Sequence, residues 1–182
     1  MSYRQELETA KKAALAAGQI LIEQKNNLNK SIFSSNTDIK LEADLVAEKL
    51  IKEILTNETS FPILAEESGQ SSDELSDIFW VVDPLDGTAN YSRNIPICCV
   101  SIALIKNMEP VLGVIYDFSN NDLYEGSVNT SAMQNGLEIK VSDISNQGEG
   151  ILITGLPNKT DYSDEALLKM VKDFQGWRKV RM

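Results

Sequence analysis

At residue 61 the hydrophobic period changes from helical to strand-like, and that change limits the chain to folds that mix helices with sheet. Before it, "YRQELETAKKAALAAGQILIEQKNNL" repeats apolar residues at three- and four-residue steps through Leu7, Ala10, Ala14, Ala17 and Leu21. Ala13, Ala16 and Gly18 permit close packing of that helix. A polar loop, "SIFSSNTD", follows, in which Thr37 or Asp38 would cap the next helix. From Ala43, "ADLVAEKLIKEILTN" predicts that second amphipathic helix, burying Leu45, Val46, Leu50, Ile54 and Leu55. After it come short strands: "FPILAEE", then a surface loop "GQSSDELSD", then "IFWVVD", which Pro84 should end because proline cannot extend a ladder. "ICCVSIALI" and "PVLGVIYD" read as a hairpin around "KNMEP". "DLYEGSV", "LEIKVS" and "ILITG" read as further strands, and "SDEALLKMVKDF" as a late helix capped by Ser163. Two helices, a run of antiparallel strands and a helix define an α+β chain. No repeat, low-complexity tract or linker marks a second complete domain.

Composition removes several chemistries. The formal charge is −10 and the pI about 4.5, which argues against binding nucleic acid. A small phosphorylated ligand stays compatible, because a metal can supply local positive charge. The chain has no histidine, so Ser-His-Asp, Cys-His and His-ligated zinc chemistry are all excluded. Its two cysteines, Cys98 and Cys99, are neighbours and read as small buried residues of a reduced, cytoplasmic protein. The opening "MSYRQELETAKK" has no apolar signal core, and no run reaches membrane-spanning length.

The informative feature is acidic. Glu66 and Glu67 end one apolar run; Asp83 and Asp86 flank Pro84-Leu85 at the end of another. Two unit charges about 4 Å apart repel by about 4 kcal/mol at an effective dielectric near 20. Arg93 is the one local cation the sequence suggests. A hard divalent cation, magnesium or calcium, would compensate such oxygen ligands. Gly87 would let a ligand approach the backbone, and a helical turn from Thr88 to Tyr91 would aim free amides at an anion. The residues by themselves leave a second reading open: Asp83 as a cap, Asp86-Gly87 as turn chemistry, and Glu66 and Glu67 solvated.

"WVVDPLDGTANY" resembles the first signature of the inositol monophosphatase family, D-P-[ILM]-D-G-[ST] after an apolar strand and before an aromatic. "AEES" upstream matches that family's glutamate pair, and "TDIKLEADLVAEKLI" resembles its second-helix segment, with the aspartate at Asp44. "GVIYD", "LYEGS" and "SAMQNGLEIKVS" follow its strand pattern. The resemblance implies the layered helix and antiparallel-sheet sugar-phosphatase fold, shared with fructose bisphosphatases. It implies a lithium-sensitive phosphatase using two or three Mg2+ ions. Glu66, Asp83 and the Leu85 carbonyl would hold the first ion, Asp83 and Asp86 a second, and Glu66 a weaker third. Gly87 and Thr88 amides would grip the phosphate. Asp44 and Thr88 would orient the attacking water and help deprotonate it, and Glu67 would stand behind the ligands. The implied substrate is a small phosphate ester, inositol monophosphate above all, with 3′-phosphoadenosine 5′-phosphate, fructose 1,6-bisphosphate and histidinol phosphate as alternatives. By analogy the protein would form a homodimer. A non-catalytic interaction protein keeping the fold is the other class.

The chain departs from the family pattern in two places. "SIFSSN" lacks the lysine usual in the loop before the second helix; Phe33 falls near that place and Lys30 would have to substitute. The later signature, W-D-x-A-[AG]-G, is absent: Val81 follows Trp80 and Arg178 follows Trp177. Residues 1–182 are therefore expected to be the N-terminal α+β domain of such a phosphatase, lacking its C-terminal α/β part and weakly active or inactive.

Overall fold

The structure, a computed structural model, describes residues 3–35, 39–71, 75–155 and 161–181. The chain divides into two compact units, Met1–Ile139 and Lys140–Met182. The first begins with α1 (Arg4–Glu23), a single turn α2 (Lys25–Leu28), β1 (Ser31–Ser34), β2 (Ile39–Leu41) and α3 (Glu42–Glu58). Then come β3 (Ile63–Ala65), β4 (Gly69–Gln70), β5 (Ile78–Asp86) and the short α4 (Thr88–Ser92). Strands β6 (Cys99–Lys106), β7 (Glu109–Asp117), β8 (Asp122–Ser127), β9 (Thr130–Gln134) and β10 (Leu137–Glu138) complete it.

One eight-stranded sheet runs β10-β9-β8-β7-β6-β5-β3-β4. It is antiparallel except at β3 and β5, which pair in parallel. The β6–β7 hairpin turns on Asn107 and Met108, both at positive φ (51° and 65°), which matches the right-handed twist of the strands it joins. Alternate residues Trp80, Val82, Val100, Ile102, Leu104, Leu112, Val114 and Tyr116 point to one face, where α1 and α3 cover them. The buried face of α1 is the expected one: Leu7, Ala10, Ala14, Ala17 and Leu21, joined by Ala13 and Gly18. Trp80 is fully buried, and its indole N–H donates to Thr59 Oγ1 at 2.9 Å, just past the end of α3.

Several expectations change. Part of "SIFSSNTD" is a strand: β1 pairs with β2, because backbone pairing overrides the polar composition of an exposed ribbon. The proposed caps Thr37 and Asp38 lie outside the described residues. The face of α3 is rotated: Ala43, Asp44, Ala47, Glu48, Ile51 and Leu55 are buried, Leu45 is exposed, and Val46, Leu50 and Ile54 are half-buried. Two acids thus occupy the core side of this helix. Pro84 does not end β5. The strand continues to Asp86 through a bulge, in which two β5 residues, Pro84 and Leu85, stand opposite the single β6 residue Val100 between Ser101 and Cys99. Strands β4 and β9 fall in segments without strand alternation, and "LEIKVS" contributes only Leu137–Glu138.

The second unit holds a 3-10 turn (Gln147–Glu149), β11 (Ile151–Ile153), α5 (Asp164–Phe174) and β12 (Lys179–Arg181). β11 and β12 pair in parallel with α5 as the connection, a small βαβ unit that requires a crossover of this length. Ser163 caps α5 as expected, its Oγ accepting from Ala166 N at 3.4 Å. β12 lies in a segment with no strand signal of its own. Among the described residues no helix is long and apolar enough to cross a membrane.

Gly18 is where α1 comes closest to the sheet. A Cβ built there would lie 2.4 Å from a Tyr116 ring carbon and 3.0 Å from Phe118 Cβ. Replacing Gly18 by alanine should therefore destabilise the protein by about 1–3 kcal/mol, although alanine is the better helix former by about 1 kcal/mol. The urea midpoint of Gly18→Ala against the parent chain measures this; a stabilised variant would show that the helix shifts freely.

Candidate active site

The site is assembled from two strand ends and two helix starts. Because β3 and β5 run parallel with Ala65 opposite Val82, both strands reach their next residues, Glu66 and Asp83, at one level. Glu66 N donates to Val82 O at 3.0 Å, carrying the pairing one residue further. The two carboxyls face each other there closely enough that Asp83 raises the proton affinity of Glu66. Beyond Asp83 the strand bulges. Leu85 is buried, its N–H donating to Asp83 Oδ1 at 3.2 Å, and Asp86 emerges exposed.

Gly87 then takes φ +89°, a left-handed conformation. A Cβ there would stand 2.7 Å from Ile97 O, so glycine is required twice over. The turn starts α4, as the sequence predicts. Thr88 Oγ1 lies 2.8 Å from Asp44 Oδ1 and 3.1 Å from Leu85 O. The hydroxyl has one proton, and the shorter contact is to the carboxylate. The other oxygen of Asp44 accepts from Leu41 N at 2.6 Å, so a side chain in the first turn of α3 closes back on the residue preceding it. Tyr91 anchors α4: it is fully buried, its O–H donating to Leu21 O at 2.7 Å, and Lys25 Nζ sits 4.5 Å from its ring centre.

Crowding raises the proton affinity of several of these groups. Loss of water around the Glu66 carboxyl, the hydrogen bond to Asp83 and the charges of Asp83 and Glu67 push Glu66 up to about 7. Glu66 is exposed as a residue. Asp83 is raised by burial and by the charge of Asp86. Asp44 is raised by burial, with Glu67 adding to it, although the Leu41 and Thr88 hydrogen bonds oppose the shift. Burial and the charges of Asp86 and Asp83 push the Cys99 thiol up to about 12.

The structure thus brings together Asp44, Thr88 and Leu85 in one cluster and Glu66 and Asp83 in another, with the charge of Asp86 felt at Asp83. Glu67 turns aside to an ion pair with Lys40, its Oε2 at 2.8 Å from Nζ. Lys40 is the compensating cation that sequence reading missed; Arg93 is exposed at the end of α4 and forms no ion pair among those described. Lys30, considered as a substitute for the family's loop lysine, faces Glu42 at 3.8 Å. Glu48 also went unread, although its spacing of four from Asp44 on the core stripe of α3 was a usable signal. An open groove of about 440 Å³ runs beside Asp86, lined in part by Ile97, Cys99, Ile115 and Tyr124.

These donors suit a hard divalent cation in kind: carboxylates and a backbone carbonyl, with no sulfur or imidazole ligand required. Among the described residues no three acidic or sulfur side chains are drawn close enough to form a ready-made cage. What is built is the Glu66–Asp83 pair with Asp86 alongside.

Comparison with known proteins agrees with this reading of the fold. Residues 2–180 match the inositol monophosphatase family. A protein of Xylella fastidiosa named Nus factor SuhB is 38% identical over 163 residues, covering 88% of this chain and 58% of its own. A fructose-1,6-bisphosphatase/inositol-1-monophosphatase of Aquifex aeolicus is 35% identical over 176 residues, covering 92% and 64%. The chain therefore spans about three fifths of these relatives. Among solved structures, extragenic suppressor protein suhB from Bartonella henselae superposes with a TM-score of 0.86 at 30% identity, over 96% of this chain and 68% of that one. An inositol monophosphatase from Anabaena gives 0.83 at 31%, over 100% and 67%. These neighbours share the mixed α+β fold expected from the sequence.

The raised carboxyl of Glu66 has a consequence for stability without metal. The folded chain keeps this proton up to about pH 7, whereas an unfolded glutamate releases it near 4.5. Stability should therefore fall as pH rises across that window, with Asp44 and Asp83 adding in the same direction. Glu66→Gln should flatten the decline and raise stability at pH 8 by roughly 1 kcal/mol, a figure reduced for solvent screening of so exposed a side chain. Urea midpoints of chelator-treated protein at pH 5 and 8 measure it; parallel pH dependence in parent and variant would refute the assignment.

Proposed function

This chain belongs to the inositol monophosphatase family, and from that premise we propose that its acidic corner serves Mg2+-dependent hydrolysis of a small phosphate monoester, inositol monophosphate first. The observation that carries the reading is the Thr88–Asp44 hydrogen bond standing beside the Glu66–Asp83 pair. Glu66, Asp83, Asp86 and the Leu85 carbonyl would hold two or three ions. A divalent ion in such a site supplies positive charge to phosphoryl oxygens and acidifies water.

The chain's own groups then have distinct tasks. Thr88 orients the attacking water through its hydroxyl and relays its proton to Asp44, whose raised affinity for protons suits a general base. The Gly87 and Thr88 amides, at the start of α4, hold the phosphate. Positioning and charge stabilisation account for most of the catalysis that such a displacement needs. Glu66 gives up its proton when it becomes a ligand, so ion affinity rises with pH towards and beyond 7. Free Cys98 and Cys99 are compatible with a reducing, cytoplasmic setting, and lithium sensitivity and homodimerisation come with the reading. Fructose 1,6-bisphosphate is the first alternative substrate, because the Aquifex relative is named for it; 3′-phosphoadenosine 5′-phosphate and histidinol phosphate follow.

A second reading, a non-catalytic interaction protein on the same fold, is favoured by the Nus factor name of the Xylella relative. Titration calorimetry with Mg2+ separates the two. Asp86→Asn should weaken binding about tenfold, equivalent to about 1.4 kcal/mol; equal affinities would favour the interaction reading. In a phosphate-release assay across the four esters, the 182-residue chain should turn over slowly or not at all. Asp44→Asn should abolish whatever turnover remains while retaining ion binding; a variant as active as its parent would remove Asp44 from the chemistry.

A further inference from the structure

Glu66 does not stand on a strand. It opens a turn, Glu66–Ser68, between β3 and β4, and something must hold that turn if its carboxyl is to stay on Asp83. Each of its three residues is tied. Glu66 N donates to Val82 O at 3.0 Å. Glu67 N donates to Glu48 Oε2 at 2.9 Å. Ser68 Oγ receives Lys52 Nζ at 2.8 Å. Lys52 Nζ also lies 3.9 Å from Glu48 Oε1, so the two α3 side chains, one helical turn apart, support each other.

We propose that Glu48 and Lys52 are positioning residues that clamp the Glu66–Ser68 turn and so aim Glu66 at Asp83; the inference rests on the reading of Glu66 as an ion ligand. Glu48 is 4% exposed. Burying a carboxylate on the core face of a helix is costly, and an apolar residue at that position would serve packing better. Its geometry explains its presence: it accepts the amide of the residue after Glu66. One turn earlier on the same face, Asp44 accepts from Thr88. Helix α3 thereby sets both halves of the site in one rigid element, and packing against α1 and β5 fixes the helix.

The test compares the 182-residue chain with Glu48→Ala, Glu48→Gln and Lys52→Ala by amide hydrogen exchange at Glu67 and by Mn2+ titration calorimetry, with urea midpoints in parallel. Removing a charged acceptor should speed Glu67 exchange by roughly tenfold or more and weaken Mn2+ binding by about the same factor in Glu48→Ala. Glutamine keeps an acceptor oxygen, so Glu48→Gln should stay within about threefold of the parent in both, and Lys52→Ala should fall between. Unchanged Glu67 exchange in Glu48→Ala overturns the clamp. So does a glutamine variant that falls as far as the alanine one, because the role would then be charge or packing. If the parent binds no Mn2+, the functional reading fails, while Glu67 exchange still decides whether the clamp exists.

Discussion

Two carboxyls, Glu66 and Asp83, come together because two neighbouring strands run in the same direction, so that the residue just past the end of β3 stands level with Asp83 inside β5. The Ala65–Val82 register makes the next residue on each strand an acid. An antiparallel pairing of β3 and β5 would put those strand ends at opposite edges of the sheet. Two full charges about 4 Å apart would repel by about 4 kcal/mol at an effective dielectric near 20, and burial together with the neighbouring Asp83 pushes Glu66 up to about 7. A cation between such carboxyls is the natural relief, which ties the parallel pairing within the eight-stranded sheet to the chemistry proposed for it.

The surroundings hold this contact in place. Past Asp83 the bulge at Pro84 lets β5 continue while exposing Asp86, and Gly87 turns the chain left-handed so that Thr88 starts a helix facing Asp44. Small residues make the approach possible. Ala10, Ala13, Ala14 and Ala17 on α1 and Ala43 and Ala47 on α3 are all fully buried, so the two helices lie close together and close to the sheet. That proximity carries the acids of α3 to the strand ends. Helix α3 accordingly serves the core with Ile51 and Leu55 and the site with Asp44 and Glu48 from the same face.

Much of this was legible in residue order. Helical periodicity located α1 and α3, Ser163 marked the start of α5, and the spacing of Asp83, Asp86, Gly87 and Thr88 announced a turn with converging oxygens and amides. Periodicity misjudged the face of α3, because it ranks Leu45 above Ala43 and gives a buried acid no weight. The rule that proline ends a strand failed at Pro84, since a bulge removes the need for a ladder hydrogen bond there. Strands β1, β4, β9 and β12 lack a pattern of their own and exist through the partners they pair with.

By itself the sequence determined which chemistry was open to this chain. With no histidine and with acids gathered near two strands, catalysis is left to carboxylates, hydroxyls, lysines, backbone dipoles or a hard metal, and those are properties of composition and local order. Tertiary structure alone decided which of the acids meet. Glu66 pairs with Asp83 and Glu67 turns to Lys40 because strand direction and register, set by the packing of a whole sheet against two helices, choose one neighbour for each side chain. Such choices depend on contacts between residues far apart in the chain, which no local pattern can encode.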